Sequence, residues 1–142
     1  PIFQDSSTFL AKDKLSAPQF PMRQDITLTD TSGKLVIVDC KYKLLENGKP
    51  NPQDLYQLAT YAIRRACQRV FIIYPTLKTW DYTPPSSNSS IHYYTVTDEL
   101  AQRDIQIGVL GIPFGSVKGD FEELTQILKQ QVNQLLMTKS KA

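Results

Sequence analysis

The sequence predicts an α/β fold, a mixed central β-sheet flanked by helices. Three observations carry that prediction. The runs Leu35–Cys40 (LVIVDC) and Val70–Tyr74 (VFIIY) are continuously apolar and β-branched, as strands buried on both faces are. A helical pattern separates them. A second helical pattern closes the chain.

Residues 1–22 are mixed and interrupted by Pro18 and Pro21, which predicts loop with one short element near Thr8–Ala11. Asp25–Asp30 (DITLTD) alternates polar and apolar, the period of a strand. Thr31-Ser32-Gly33 is a turn, so this strand and Leu35–Cys40 form a hairpin. Residues 44–52 (LLENGKPNP) carry loop signals. A helix follows from Pro52 or Gln53 to Arg69, with Asn51 as N-cap and Pro52 in the first turn. Val70–Tyr74 is a strand stopped by Pro75, and the segment to residue 90, with TPPSSNSS, is a loop. Ile91–Thr97 and Ile105–Ile112 are two further strands. The last helix opens at Gly119 or Asp120 and runs to about Met137, with Phe121, Leu124, Ile127, Leu128, Val132, Leu135 and Leu136 as its apolar stripe.

The 142 residues suit one domain, taken here as 1–142. A hydrophobic share of 41% and a charged share of 21% are those of an ordinary globular chain. No apolar run reaches the roughly 18 residues of a membrane span. A net charge of +2 argues against a histone-like or wholly basic DNA binder but not against a local basic groove. Cys40 and Cys67 lie in apolar contexts and read as reduced core thiols, which suits the cytoplasm. The chain opens at Pro1 without a leader segment, the expectation for a piece of a longer protein.

Chemistry concentrates in the hairpin. Asp25 starts its first strand, and Asp39 and Lys41 end its second. Side chains two apart on a strand share a face, so Asp39 and Lys41 point the same way. Hairpin pairing brings Asp25 near Asp39. Paired carboxylates repel, and a divalent cation such as Mg²⁺ relieves that with hard oxygen ligands. A lysine beside them suits a water or a developing charge. The plainer alternative is a solvated strand end with an Asp–Lys ion pair.

The helix adds a second pattern. Around Asp54, residues Gln57, Tyr61, Arg64, Arg65 and Gln68 share one arc of roughly 100°. Leu55, Ala59, Ala62, Ile63 and Ala66 share another, expected to pack on the sheet. The first arc is either a plain polar face or one that tracks phosphates, which arginines, amides and tyrosines commonly contact.

The segments MRQDITL (22–28), LVIVDCKYK (35–43) and DLYQLATYA (54–62) resemble, in order and spacing, the PD-(D/E)xK nuclease superfamily. More narrowly they are similar to the McrC family, the nuclease subunit of modified-cytosine restriction systems. The motif-bearing part spans about residues 20–75. The resemblance implies a restriction-endonuclease-like core and a metal-dependent endodeoxyribonuclease acting on double-stranded DNA. It implies Mg²⁺, with Mn²⁺ able to substitute, held by Asp25, Asp39 and the Cys40 backbone carbonyl. Lys41 would help activate the attacking water. Gln57 and Tyr61, with Arg64 and Arg65, would support the site or the DNA backbone. It further implies a GTP-driven AAA+ translocase partner, and cutting both strands calls for two nuclease sites, hence dimerisation. Gln24 stands where the family has proline. No Glu precedes Glu46, and Asp5 and Asp13 are the acids upstream of Asp25. A catalytically inactive DNA- or partner-binding module on the same fold is the alternative.

His92 in a strand reads as structural or surface, and the aromatics Tyr74, Trp80, Tyr82, Tyr93 and Tyr94 as packing. Gly108, Gly111 and Gly115 make no phosphate loop, because no Gly-Lys-Ser/Thr follows them.

Overall fold

The structure is a computed structural model describing residues 1–45, 49–76 and 91–113, with positions 122, 125, 126, 129, 130 and 133. Its strands are β1 (Ile2–Lys12), β2 (Pro18–Thr29), β3 (Leu35–Cys40), β4 (Arg69–Thr76), β5 (Ile91–Asp98) and β6 (Arg103–Pro113), and its helix is α1 (Pro52–Arg64). They form one sheet in the order β1-β2-β3-β4-β6-β5. β1, β2 and β3 pair antiparallel, β3–β4 and β4–β6 parallel, and β5 antiparallel on β6. The expected mixed sheet is therefore present, and it is rich in strand.

The predicted hairpin is β2–β3, with Ile26 opposite Val38 and Thr29 opposite Leu35. Its turn is organised by Asp30, whose Oδ1 accepts from the N–H groups of Ser32 and Lys34 at 2.8 and 2.9 Å. Gly33, at φ +81°, supplies the left-handed residue the turn needs. β3 is buried along Val36–Asp39, which explains its unbroken apolar run. Alternate residues serve two cores. Ile37 joins Leu58, Tyr61, Ala62, Val70, Ile72 and Ile107 under α1. Val36 and Val38 join Phe71 and Leu110 on the opposite face.

Several boundaries depart from expectation. Residues 2–12 form the long edge strand β1 rather than a loop. Its polar sequence hides the period of two, because an edge strand buries little on either face. Pro18 and Pro21 are accommodated in β2, where they pair with Lys12 and Phe9 of β1 but lie beyond the reach of β3. β4 runs through Pro75 to Thr76, pairing Pro75 with Ile112 past the end of β3.

Helix α1 begins as predicted, with Asn51 Oδ1 accepting from Gln53 N–H at 2.9 Å. It ends at Arg64, not Arg69. Ala66 turns left-handed at φ 50°. The Cys67 N–H then bonds the Ala62 carbonyl at 2.8 Å and the Ala66 N–H bonds Ile63 at 3.2 Å, the Schellman pattern with alanine where glycine is usual. Without that glycine the stop is invisible in the sequence. The buried face centres on Leu58, Tyr61, Ala62 and Asp54, whereas Ile63 is exposed. The expected sheet-facing arc is thus rotated toward Tyr61.

Positions 122, 125, 126, 129, 130 and 133 are helical, at the spacing of one helix face. The apolar stripe expected there, the loop over 77–90 with Trp80 and Tyr82, and Gly115 lie outside the described residues.

Candidate active site

Asp25 and Asp39 are the pair one step beyond Ile26 and Val38 in the β2–β3 register. Antiparallel pairing therefore sets the two carboxylates opposite each other, as the hairpin argument expected. Asp25 Oδ2 accepts from the Cys40 N–H at 2.8 Å, which fixes Asp25 across the strand pair. Asp39 is buried, 4% exposed, and its Oδ2 meets Lys41 Nζ at 2.6 Å. That contact is an ion pair without hydrogen-bond geometry, so Oδ2 is buried and accepts no directed hydrogen bond.

Lys41 follows β3 and is steered by α1. Its Nζ donates to Gln57 Oε1 at 2.8 Å, and Gln57 Nε2 donates to the Tyr61 hydroxyl at 2.7 Å. That hydroxyl donates to the Arg23 carbonyl at 3.0 Å, closing the chain onto β2. The four-residue spacing of Gln57 and Tyr61 puts both on one helix face. The structure thus brings together Asp25, Asp39, Lys41, Gln57 and Tyr61.

Arg64 and Arg65 are turned elsewhere. The Arg64 guanidinium donates to the Phe9 carbonyl at 3.0 and 2.7 Å. Arg65 Nη1 pairs with Asp5 Oδ2 at 2.9 Å and also reaches Thr8 and Gln24. Both tie β1 to the end of the helix, apart from the cluster of Asp25, Asp39 and Lys41. A one-residue bulge between Asp5 and Thr8 and the Ser7 bonds to Asp5 shape that junction. Asp13 caps the β1–β2 turn through the Leu15 and Ala17 N–H groups, each at 2.9 Å. Neither upstream acid therefore joins Asp39.

A residue treated only as part of the polar arc does reach the site. Asp54 is 6% exposed, and its Oδ1 lies 3.7 Å from Lys41 Nζ. Its Oδ2 accepts from the Tyr74 hydroxyl at 2.7 Å and pairs with Lys43 Nζ at 2.8 Å. The available signal was its position three and seven residues before Gln57 and Tyr61, on the same helix side. Tyr74 and Lys43 enter only through tertiary packing.

Electrostatics follow from these contacts. Burial raises the Asp39 carboxyl above the usual carboxylate range; Lys41 opposes this, and Asp25 and Asp54 add to it. Burial alone would lower the Lys41 ammonium, but the close contact with Asp39 and the charges of Asp39, Asp54 and Asp25 carry it upward. Burial would raise Asp54, yet Lys43 and Tyr74 hold it below its ordinary value. Burial raises the phenol of Tyr61. The Cys40 and Cys67 thiols are free, and burial raises both, so neither is poised as a nucleophile. His92 is exposed on β5, and Tyr93 packs edge-on against Phe71 with ring centres 6.4 Å apart.

Among the described residues, no group of three His, Cys, Asp or Glu side chains is arranged to hold a metal. The donor set present is two facing carboxylates with a buried oxygen lacking a directed bond. That set fits Mg²⁺, which commonly takes only one or two protein carboxylates and completes its shell with water and phosphate. Among the described residues no helix is long and apolar enough to cross a membrane.

Comparison with known proteins gives two findings. The family model for the McrBC 5-methylcytosine restriction system component matches residues 2–75. The fold is similar to a chain of a solved half-complex from a tetradecameric assembly of Thermococcus gammatolerans McrB AAA+ hexamers with bound McrC. That likeness has a TM-score of 0.51 at 18% identity and covers 80% of this chain, which spans 25% of the other. No curated protein matches in sequence.

Proposed function

Since the chain belongs to the McrBC 5-methylcytosine restriction system component family, we propose that it is a magnesium-dependent endodeoxyribonuclease domain with a PD-(D/E)xK core. One observation carries this reading: a buried Asp39 opposite Asp25, with its charge met by Lys41 at 2.6 Å and Lys41 held by Gln57 at 2.8 Å. Two carboxylates, a lysine and a supporting amide suit phosphodiester hydrolysis and have little purpose in a purely structural strand end.

In this reading Asp25, Asp39 and the Cys40 carbonyl hold Mg²⁺, and Mn²⁺ can substitute. The cation, when bound, supplies charge stabilisation on a phosphodiester oxygen and a more acidic water. Asp39 and Asp25 bring negative charge to one point of the β2–β3 pair, within the sheet. Lys41 presents an ammonium to the attacking water or to the charge that grows on phosphate. Gln57 fixes the direction of Lys41, and Tyr61 fixes Gln57 against β2. Base reading is left to other parts of the assembly. The partner reading is a GTP-driven AAA+ translocase acting on double-stranded DNA. Family membership supports it, as does likeness to a chain of the McrB AAA+ hexamer assembly with bound McrC. Paired domains would cut both strands, and the reduced thiols suit the cytoplasm.

The test is nicking of supercoiled plasmid in Mg²⁺, Mn²⁺ or EDTA, with Asp39→Ala alongside. Metal-dependent nicking lost in the variant is expected. A variant that cuts like the parent would sink the reading. One alternative is an inactive module that binds DNA, favoured by the upstream acids Asp5 and Asp13 being held by Arg65 and by the β1–β2 turn rather than beside Asp39. That alternative expects salt-dependent binding indifferent to Mg²⁺, with no cleavage in any metal.

A further inference from the structure

We propose that Asp54 is a positioning residue, a second anionic anchor that keeps Lys41 in place when Asp39 is engaged elsewhere. The geometry is a relay across three elements. Lys41 Nζ has Asp39 Oδ2 at 2.6 Å on one side and Asp54 Oδ1 at 3.7 Å on another. Gln57 Oε1, at 2.8 Å, is its neutral acceptor. Asp54 cannot swing away, because its other oxygen is held by Tyr74 at 2.7 Å and Lys43 at 2.8 Å. It sits at the start of α1, is nearly fully buried, and is kept ionised by those partners.

The charges explain why a second anchor is useful. Asp25, Asp39 and Asp54 face Lys41 and Lys43, an excess of one negative charge. An Asp39 oxygen given to a cation is no longer fully available to Lys41. An ammonium that loses its nearest carboxylate and keeps only an amide would drift, since a neutral acceptor holds it less strongly. Asp54 retains it within reach of the same point. The purpose of the anchor rests on the nuclease reading above; its existence rests on the contacts alone.

The test is site-resolved acetylation of lysines by an N-hydroxysuccinimide ester, read by mass spectrometry. It is run on the parent, Asp39→Asn, Asp54→Asn and the double variant, with exposed Lys34 as the internal standard. Each single variant should leave Lys41 nearly as protected as in the parent. The double variant should label Lys41 about five-fold faster or more, the signature of two coupled anchors. Melting curves separate loss of anchoring from loss of fold. If the double variant unfolds, Asp39→Asn with Tyr74→Phe replaces it, and Lys41 labelling should again rise. A double variant whose Lys41 labels no faster than Asp39→Asn overturns the proposal. Added Mg²⁺ should expose Lys41 in Asp54→Asn alone. If it does not, while the double variant behaves as expected, the metal reading fails and the anchor stands.

Discussion

The Asp39 carboxylate is buried opposite Asp25 and near Asp54, with Lys41 at 2.6 Å. Burial and like charge make its ionised form less favourable in the fold than in the unfolded chain. A neutral isostere removes that cost. Asp39→Asn should therefore melt at the same temperature as the parent or higher, while losing cleavage. Differential scanning calorimetry checks the first half, and a clear fall in melting temperature would show that Asp39 serves the fold. Such stability given up for activity is common at reactive sites. At this scale the site was largely legible. Strand alternation predicted that Asp39 and Lys41 share a face, and the hairpin turn predicted Asp25. The four-residue spacing predicted Gln57 with Tyr61. Asp54 was legible only as part of a polar arc, because its partners Lys43 and Tyr74 meet it through packing rather than spacing.

Among the elements, β1 is the one the sequence hid. It is fixed less by apolar burial than by its ladder with β2 and by α1 reaching across. Arg64 bonds the Phe9 carbonyl, and Arg65 pairs with Asp5. Asp5 is lowered from 3.8 to about 2, chiefly by the Ser7 hydroxyl, then the Ser7 N–H and Arg65. A carboxyl depressed in the fold contributes stability above its unfolded value and loses it as pH falls toward the folded value. The parent should thus lose the β1 contribution between pH 3.8 and about 2. Asp5→Asn should lower stability at neutral pH and narrow its gap to the parent in that acid window. Thermal melts at pH 6 and pH 3 check this, since a gap independent of pH would mean that Asp5 does not hold β1 by charge. The early stop of α1 has a comparable lesson. Ala66 adopts the left-handed turn without the glycine that would announce it, so the backbone bonds of Cys67 and Ala66 are the whole signal.

On the scale of the whole molecule, the sheet order β1-β2-β3-β4-β6-β5 sets Asp25, within β2, opposite Asp39, near the end of β3, next to a parallel pair. The parallel β3–β4 step requires α1 as its crossover, and that crossover delivers Gln57, Tyr61 and Asp54 to the same end. The continuous apolar runs of β3 and β4 made this centre readable. The edges were less so, because edge strands carry weak periodicity and tolerate the prolines that usually end a strand. Family membership and the convergence of Asp25, Asp39, Lys41 and Gln57 then meet in one account, a cation-assisted nuclease centre. The most direct test is the rate of plasmid cleavage in Mg²⁺ by the parent, Asp25→Asn, Asp39→Asn and Lys41→Met. The account predicts a fall of about 100-fold or more for each variant, with folding intact by circular dichroism. Parent-like cleavage by any of the three would contradict it.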